Sequence, residues 1–219
     1  MPDDGDTVWL PEHFIGGHAA LDLANAVFDR RIPARDNELL KSARDVGGWL
    51  RAAGLADDGQ AQAVAGAADA ALVERVREVR EASYAVFAAR AAARSPPAEA
   101  LGLLFLRAAT GLSAGPLELC GTRLELNAVQ WQAPEAVAAF LALLSVEAFF
   151  TLPDDRLRSC PRCGWLFVDT SRGGKRRWCS MRTCGNREKA SRHHAHAHPE
   201  SGRGRDGGPG RMKRLLNAP

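Results

Sequence analysis

The chain has 219 residues, 46% hydrophobic and 25% charged, the balance of a globular protein with room for one medium domain and a small appended one. No apolar run reaches the ~20 residues that cross a bilayer, and the acidic start MPDDGDTVWLPEHF lacks the basic and apolar regions of a signal peptide. A cytoplasmic protein with no membrane partner is therefore expected. The net charge of +3 hides an asymmetry: residues 1–155 carry 13 Lys and Arg against 22 Asp and Glu, while residues 156–219 carry 16 against 4.

In chain order, residues 1–13 read as an extended arm with two prolines and three aspartates. Residues 17–28 read as a helix that places His18, Asp22 and Asn25 on one face. Those three form either a polar ligand face or a hydrogen-bonded set fixing the helix against a loop, and the second reading is the better one. After a loop at 30–35, Asp36 or Asn37 can cap a helix through Leu39, Val46, Trp49 and Leu50 that ends before Gly54. A charged loop follows at 56–59. Residues 60–94 are Ala-rich and helical, with a break near Gly66. Their Glu74, Glu78 and Glu81 interleave with Arg75, Arg77 and Arg80, which predicts a solvated face.

Ser95-Pro96-Pro97 ends that helix and starts another. Residues 117–126 alternate apolar and polar about Gly121-Thr122, the pattern of a β-hairpin, with Cys120 as a buried, inert thiol. Pro134 opens a last helix through Phe149. The body, 14–153, is thus a mainly α domain with one small hairpin.

The remainder is organised by cysteine. Cys160, Cys163, Cys179 and Cys184 follow C-x2-C-x15-C-x4-C, the spacing of a tetrahedral structural zinc site. A redox dithiol pair is the competing reading. Four thiolates leave no coordination position for water or substrate, so one structural Zn2+ is expected to hold the fold together. Gly164 permits a tight knuckle, Trp165 to Thr170 alternate as a strand, Gly173-Gly174 turn, and Arg176 to Cys179 return as its partner. Ser180 can cap a helix carrying Cys184 in its first turn. Knuckle, hairpin and helix over 156–198 make a treble-clef-like finger with four cysteine ligands, and Trp165, Phe167 and Trp178 form its small core. Such a unit is too small to fold alone, so the metal is expected to supply about 10 kcal/mol. The Gly- and Arg-rich stretch 199–219 reads as a disordered basic tail.

The stretch Trp178-Cys179-Ser180 with Cys184-Gly185-Asn186-Arg187 closely resembles the CGNR zinc finger. The opening Phe14-Ile-Gly-Gly-His18-Ala-Ala-Leu-Asp22-Leu-Ala-Asn25 resembles that of the ABATE domain, with Ala26 where the family often has Thr. The resemblance implies a stress-induced transcription regulator whose helical body senses a small-molecule effector or mediates self-association.

With zinc and four thiolates at −2, residues 156–219 still carry +10, which attracts nucleic acid, while the acidic body repels it. Arg172, Lys175, Arg176, Arg177, Arg182, Arg187, Lys189 and Arg192 are the candidate contacts to duplex DNA, as phosphate anchors and a helix approaching a groove. The plainer reading is that these charges solvate the module and offset the metal cluster. His193, His194, His196 and His198 extend the cationic surface. A protein-interaction module, with the finger bound to a partner or to its own acidic body, is the second hypothesis. An enzyme using the His18 and Asp22 face is the third, and no Ser-His-Asp set, phosphate loop or HExxH pattern supports it.

Overall fold

The computed structural model describes residues 6–32, 37–67, 70–113, 118–120, 123–125 and 130–197. The described part of the N-terminal arm does not float. Thr7 donates its N–H to Asp45 (2.6 Å) and its hydroxyl to the Leu39 carbonyl (2.7 Å), and the Trp9 indole donates to the Asp45 carbonyl (3.0 Å). After a 3-10 turn at Pro11–His13, helix α1 spans only Ala19–Ala24. It ends earlier than the expected 28 because the next residues are recruited elsewhere. Val27 bridges to Glu38, and Phe28 donates its N–H to Asn37 at 2.8 Å. Ala26 is buried, so no polar group is called for there.

Helix α2 spans Ala43–Ala52 and starts later than the sequence suggests. Ser42 and Asp45 form a reciprocal capping box, so Asp45 caps its own helix and receives the arm as well. Asn37 is already committed as a loop clasp, accepting from the Asp29 N–H and donating to the Ile32 carbonyl. Asp36 lies outside the described residues. The expected charged loop at 56–59 is instead a helix start, since Asp57 and Gln60 make a second capping box for α3, Asp58–Gly66. Helices α2 and α3 touch closely: a Cβ at Gly47 would sit 2.4 Å from the Ala61 carbonyl oxygen, so only glycine fits that crossing. The break near Gly66 is present, and α4 follows at Ala70–Ala91.

Helix α5, Ala98–Ser113, precedes the antiparallel pair β1 (Glu118–Cys120) and β2 (Arg123–Glu125), with Leu119 opposite Leu124. Helix α6 spans Pro134–Thr151, with proline at its first turn where a missing N–H costs nothing. It is apolar on all sides, and its 18 residues have a mean hydropathy of 1.5. Length and composition would let it cross a membrane, yet it packs against α4 and α5 with Val137, Leu141 and Ala148 fully buried. Between α4 and α6, Ser83 and Ser145 meet at 2.8 Å. One hydroxyl donates across to the other, which donates to the carbonyl on its own helix (Val79 or Leu141), so both are satisfied.

The α4 charges form a solvated face only in part: Glu74 and Glu81 are exposed, but Arg80 is not. Arg80 is 5% exposed; it chelates Glu38 with its two terminal guanidinium nitrogens and also pairs with Glu81 at 2.8 Å. Glu38 sits below the usual carboxylate range: burial alone would raise it, but the hydrogen bond and charge of Arg80 prevail.

The last part of the chain adds β3 (Leu157–Ser159) and β4 (Leu166–Val168), paired antiparallel with Arg158 opposite Phe167. A π-helical turn at Met181–Gly185 leads into α7, Asn186–Ala197. The partner of β4 therefore precedes the knuckle, and the expected return strand at 176–179 does not form. The reason is that both edges of β4 are taken. Cys160 and Asp169 continue the ladder with β3, through the Trp165 and Arg156 carbonyls at 2.8 Å each. On the other edge the Val168 N–H donates to Gly16 (2.8 Å), and Leu166 bonds to Asn25. Leu157 and Leu166 belong to the same hydrophobic core as α1 to α6.

Candidate metal centre and basic surface

Cys160 and Cys163 stand on the turn between β3 and β4, Cys179 follows the loop after β4, and Cys184 stands in the π-turn before α7. All four are buried, and their sulfurs lie within 4.8 Å of one another. Cys163 and Cys179 are 3.5 Å apart, and Cys179 and Cys184 are 3.6 Å apart. A tetrahedron with metal–sulfur bonds of ~2.3 Å has edges of about 3.8 Å, so this donor set fits one tetrahedral thiophilic ion. The chemistry of the thiols agrees. Hydrogen bonds from Cys163 and Cys179 push Cys160 far below the ordinary thiol range, while sharing that proton with Cys160 pushes Cys163 up. Cys179 is driven up as well, first by its contact with Cys160. Four buried thiolates cannot coexist without a cation, and a divalent ion removes that conflict.

The knuckle is shaped for this role. Backbone N–H groups of Cys163 and Cys179 reach the Cys160 sulfur, and that of Trp165 reaches the Cys163 sulfur. Gly164 has φ +75°, and a Cβ there would meet Arg30 Cβ at 2.8 Å, so the position needs glycine on both counts. Phe167 and Trp165 are buried beside the cysteines, with Trp178 and Ile15 packed against them.

The body grips the knuckle directly. The Arg30 N–H donates to the Cys163 carbonyl (2.8 Å), the Tyr84 hydroxyl to the Gly164 carbonyl (3.2 Å), and the Trp165 indole to the Val27 carbonyl (2.9 Å). The Arg30 guanidinium lies 4.1 Å from the Tyr84 ring centre and pairs with Glu81 at 2.6 Å. Glu38, Arg80, Glu81 and Arg30 thus form a chain of charges leading from the helices to a metal-ligand turn. The sequence carries no local signal for this chain, because Glu38 and Arg30 lie 42 and 51 residues from their partners Arg80 and Glu81. A cavity of about 120 Å³ lies on the same seam, lined among others by His13, Phe28, Arg162, Trp165, Thr183 and Arg187.

His18, Asp22 and Asn25 do not converge on one point. His18 caps α1, accepting the Ala20 N–H at Nδ1 (3.1 Å), and its Nε2 meets Glu147 at 2.8 Å. Asp22 accepts the Gly16 N–H at 2.7 Å and is pushed up to about 7, by burial first and against the pull of that hydrogen bond. Asn25 faces β4.

Of the cationic candidates, Arg172, Lys175 and Arg177 stand exposed on the loop after β4, Arg182 in the π-turn, and Arg187, Lys189 and Arg192 on α7. Arg176 differs. Its guanidinium donates to the Trp178 and Cys179 carbonyls and stacks 4.5 Å from the Phe167 ring centre, so it serves the fold. Arg182 faces Glu12 at 3.6 Å, and Arg192 pairs with Glu188 on its own helix at 3.1 Å. Helix α7 has no apolar stripe to pack, which leaves it projecting into solvent. The side chains of His194, His196 and His198, the side chain of Cys120, and the tail beyond 198 lie outside what the structure describes.

Comparison with protein-family models matches residues 17–151 to ABATE, described as "Putative stress-induced transcription regulator", and residues 156–197 to the CGNR zinc finger. No curated protein matches the chain.

Proposed function

The chain belongs to the ABATE family and carries a CGNR zinc finger after that domain, and from that premise we propose that it is a zinc-dependent, DNA-binding transcription regulator of the cytoplasm. One zinc ion is held by Cys160, Cys163, Cys179 and Cys184 and acts structurally, fixing the loop after β4 against the start of α7. The reducing cytoplasm suits four such thiolates. Arg172, Lys175, Arg177, Arg182, Arg187, Lys189 and Arg192 contact the phosphates of duplex DNA, while Arg176 holds the loop in shape. The observation that carries this reading is the solvent-exposed α7, whose only apolar residues are alanines, beside an exposed basic loop, on a finger whose other side is fixed to an acidic body. The cavity on the seam, at about 120 Å³, would admit only an effector of a few heavy atoms, since most small-molecule sites exceed about 300 Å³. No catalytic role is assigned, since His18, Asp22 and Asn25 each serve a separate structural bond.

The second reading, a finger docked on its own body, has support of its own in the bonds to Gly16, Asn25, Arg30 and Tyr84. Those are hydrogen bonds between neutral backbone, amide and hydroxyl groups rather than charge pairing. They leave the basic face uncovered and so do not compete with DNA. The deciding experiment is a titration of zinc-loaded protein against labelled random duplex and matching RNA at several salt concentrations, beside the Cys179→Ser/Cys184→Ser variant. Affinity that falls steeply with salt and disappears in the variant is expected. A folded, zinc-loaded protein that binds neither nucleic acid at low salt would overturn the reading in favour of a protein partner.

A further inference from the structure

Helix α5 buries one side against α4 and α6 through Leu104, Ala108 and Gly111. Its opposite side should be polar if it faced only water. Instead Gly102, Phe105, Leu106, Ala109 and Leu112 are exposed there, at spacings of three and four that form a second apolar stripe. Phe105 is 40% exposed, Leu106 67% and Leu112 42%, and α6 extends the patch with Phe150 at 70%, its ring 6.1 Å from that of Phe105. Charge is absent from this stripe: Arg107 turns away to pair with Glu78 at 2.6 Å. The polar groups within it are already satisfied. Thr110 donates its hydroxyl to the Leu106 carbonyl (2.8 Å) and Ser113 to that of Thr110 (3.4 Å), so covering them leaves no bond unmade.

We propose that this stripe is a homodimer interface, occupied by α5 and Phe150 of a second copy of the chain. The stripe is self-complementary across a two-fold axis near its middle, between residues 107 and 108. Antiparallel pairing about that point sets Leu106 of one copy against Ala109 of the other and the reverse, large into small twice over. Gly102 at one end meets Ser113 at the other, which lets the helices approach. The exposed side chains amount to roughly 400–500 Å² per copy, so the pair buries about 800–1,000 Å², below the ~1,200 Å² of stable interfaces and in the range of weak, reversible association. Of the chain's own undescribed segments, the two terminal ones are poor alternatives, because 1–5 and 198–219 are polar, charged and glycine-rich, with Leu215-Leu216 as their one apolar pair. The dimer would double the basic surface, yet the inference rests on α5 and Phe150 and stands whether or not the finger binds DNA.

The test is the mass of the zinc-loaded full chain in solution, by light scattering and sedimentation from about 1 to 100 μM. A reversible dimer is expected in this range. Leu106→Glu is expected to weaken it by at least about 100-fold while the helical signal and zinc content are unchanged. Phe150→Ser, at a position more exposed still, is the second variant should Leu106→Glu fold poorly, with a loss of at least about tenfold. A wild-type chain that stays monomeric throughout, or a dimer indifferent to both variants, overturns the proposal and leaves the stripe to another occupant.

Discussion

Asn25 and Leu166 exchange two hydrogen bonds across 141 residues: the Asn25 amide donates to the Leu166 carbonyl at 2.8 Å, and the Leu166 N–H donates to the Asn25 amide oxygen at 2.7 Å. The side chain of a residue at the end of α1 thereby acts as a neighbouring strand for β4. Asn25 is 1% exposed, so neither partner has water to fall back on. Asn25→Ala would leave a buried N–H and a buried carbonyl unpaired, at a cost of about 3 kcal/mol. Asn25→Asp retains the acceptor, loses the donor and adds a buried charge, and should be at least as harmful. Urea denaturation of the zinc-loaded proteins measures both, and an Asn25→Ala variant within about 1 kcal/mol of wild type would contradict this role, about a third of the expected loss.

Metal removal should be felt beyond the finger. Leu157 and Leu166 lie in the core shared with the helices, and the knuckle is bonded to Arg30, Tyr84 and Val27. Losing the ion frees the knuckle and with it the β3–β4 pair, which exposes that end of the core. Chelation is expected to lower the melting temperature of the helical signal itself, in a single transition. A helical body that melts at the same temperature with and without zinc would mean that the two units fold independently.

The sequence made the metal centre legible because its signal is local: four cysteines at ligand spacing on a short segment. The helices were legible for the same reason, through periodicity and through Ser95-Pro96-Pro97 and Pro134. The misreadings arose where a residue answers to something remote. Asp36 and Asn37 looked like caps, yet Ser42 caps α2 and Asn37 ties down the loop from Asp29 to Ile32. Arg176 to Cys179 looked like a return strand, but Gly16 and Asn25 already hold that edge of β4. Arg80 looked like one charge among many on a wet helix, and only the fold brings Glu38 to it. Removing its partner tests that last point. Glu38→Gln should leave the buried guanidinium short of charge and cost about 3 kcal/mol in denaturation experiments, whereas a surface ion pair would cost below ~1.

Asp22 should give the chain an unusual pH dependence. Its carboxyl is raised from 3.8 to about 7, so between those values the folded state holds a proton that the unfolded state has released. The stability this group contributes is present in full below about pH 4 and is lost as pH rises through 7. Asp22→Asn keeps an oxygen for the Gly16 N–H and removes the titration. The variant should gain on wild type as pH increases from about 5 to 7 and level off above that, both measured with zinc bound so that thiol protonation cancels in the difference. A constant difference across that range would show that Asp22 is ionised in the folded protein throughout.

The basic residues should separate into two classes that one pair of measurements distinguishes. Arg176 is half-buried, bonded to the Trp178 and Cys179 carbonyls and stacked on Phe167. Arg187 and Lys189 are exposed on α7 with no ion pair among the described residues. Arg176→Ala should therefore destabilise the finger and weaken its hold on zinc, since the loop carrying Cys179 loses its clasp; any loss of DNA binding would follow from that. Arg187→Ala and Lys189→Ala should leave melting and zinc affinity unchanged. Each should instead reduce the slope of log affinity against log salt by about 1, as expected when one phosphate contact is removed. If all three variants changed the salt slope equally at unchanged stability, Arg176 would belong with the contacts after all. If none changed it, the basic face would have another purpose.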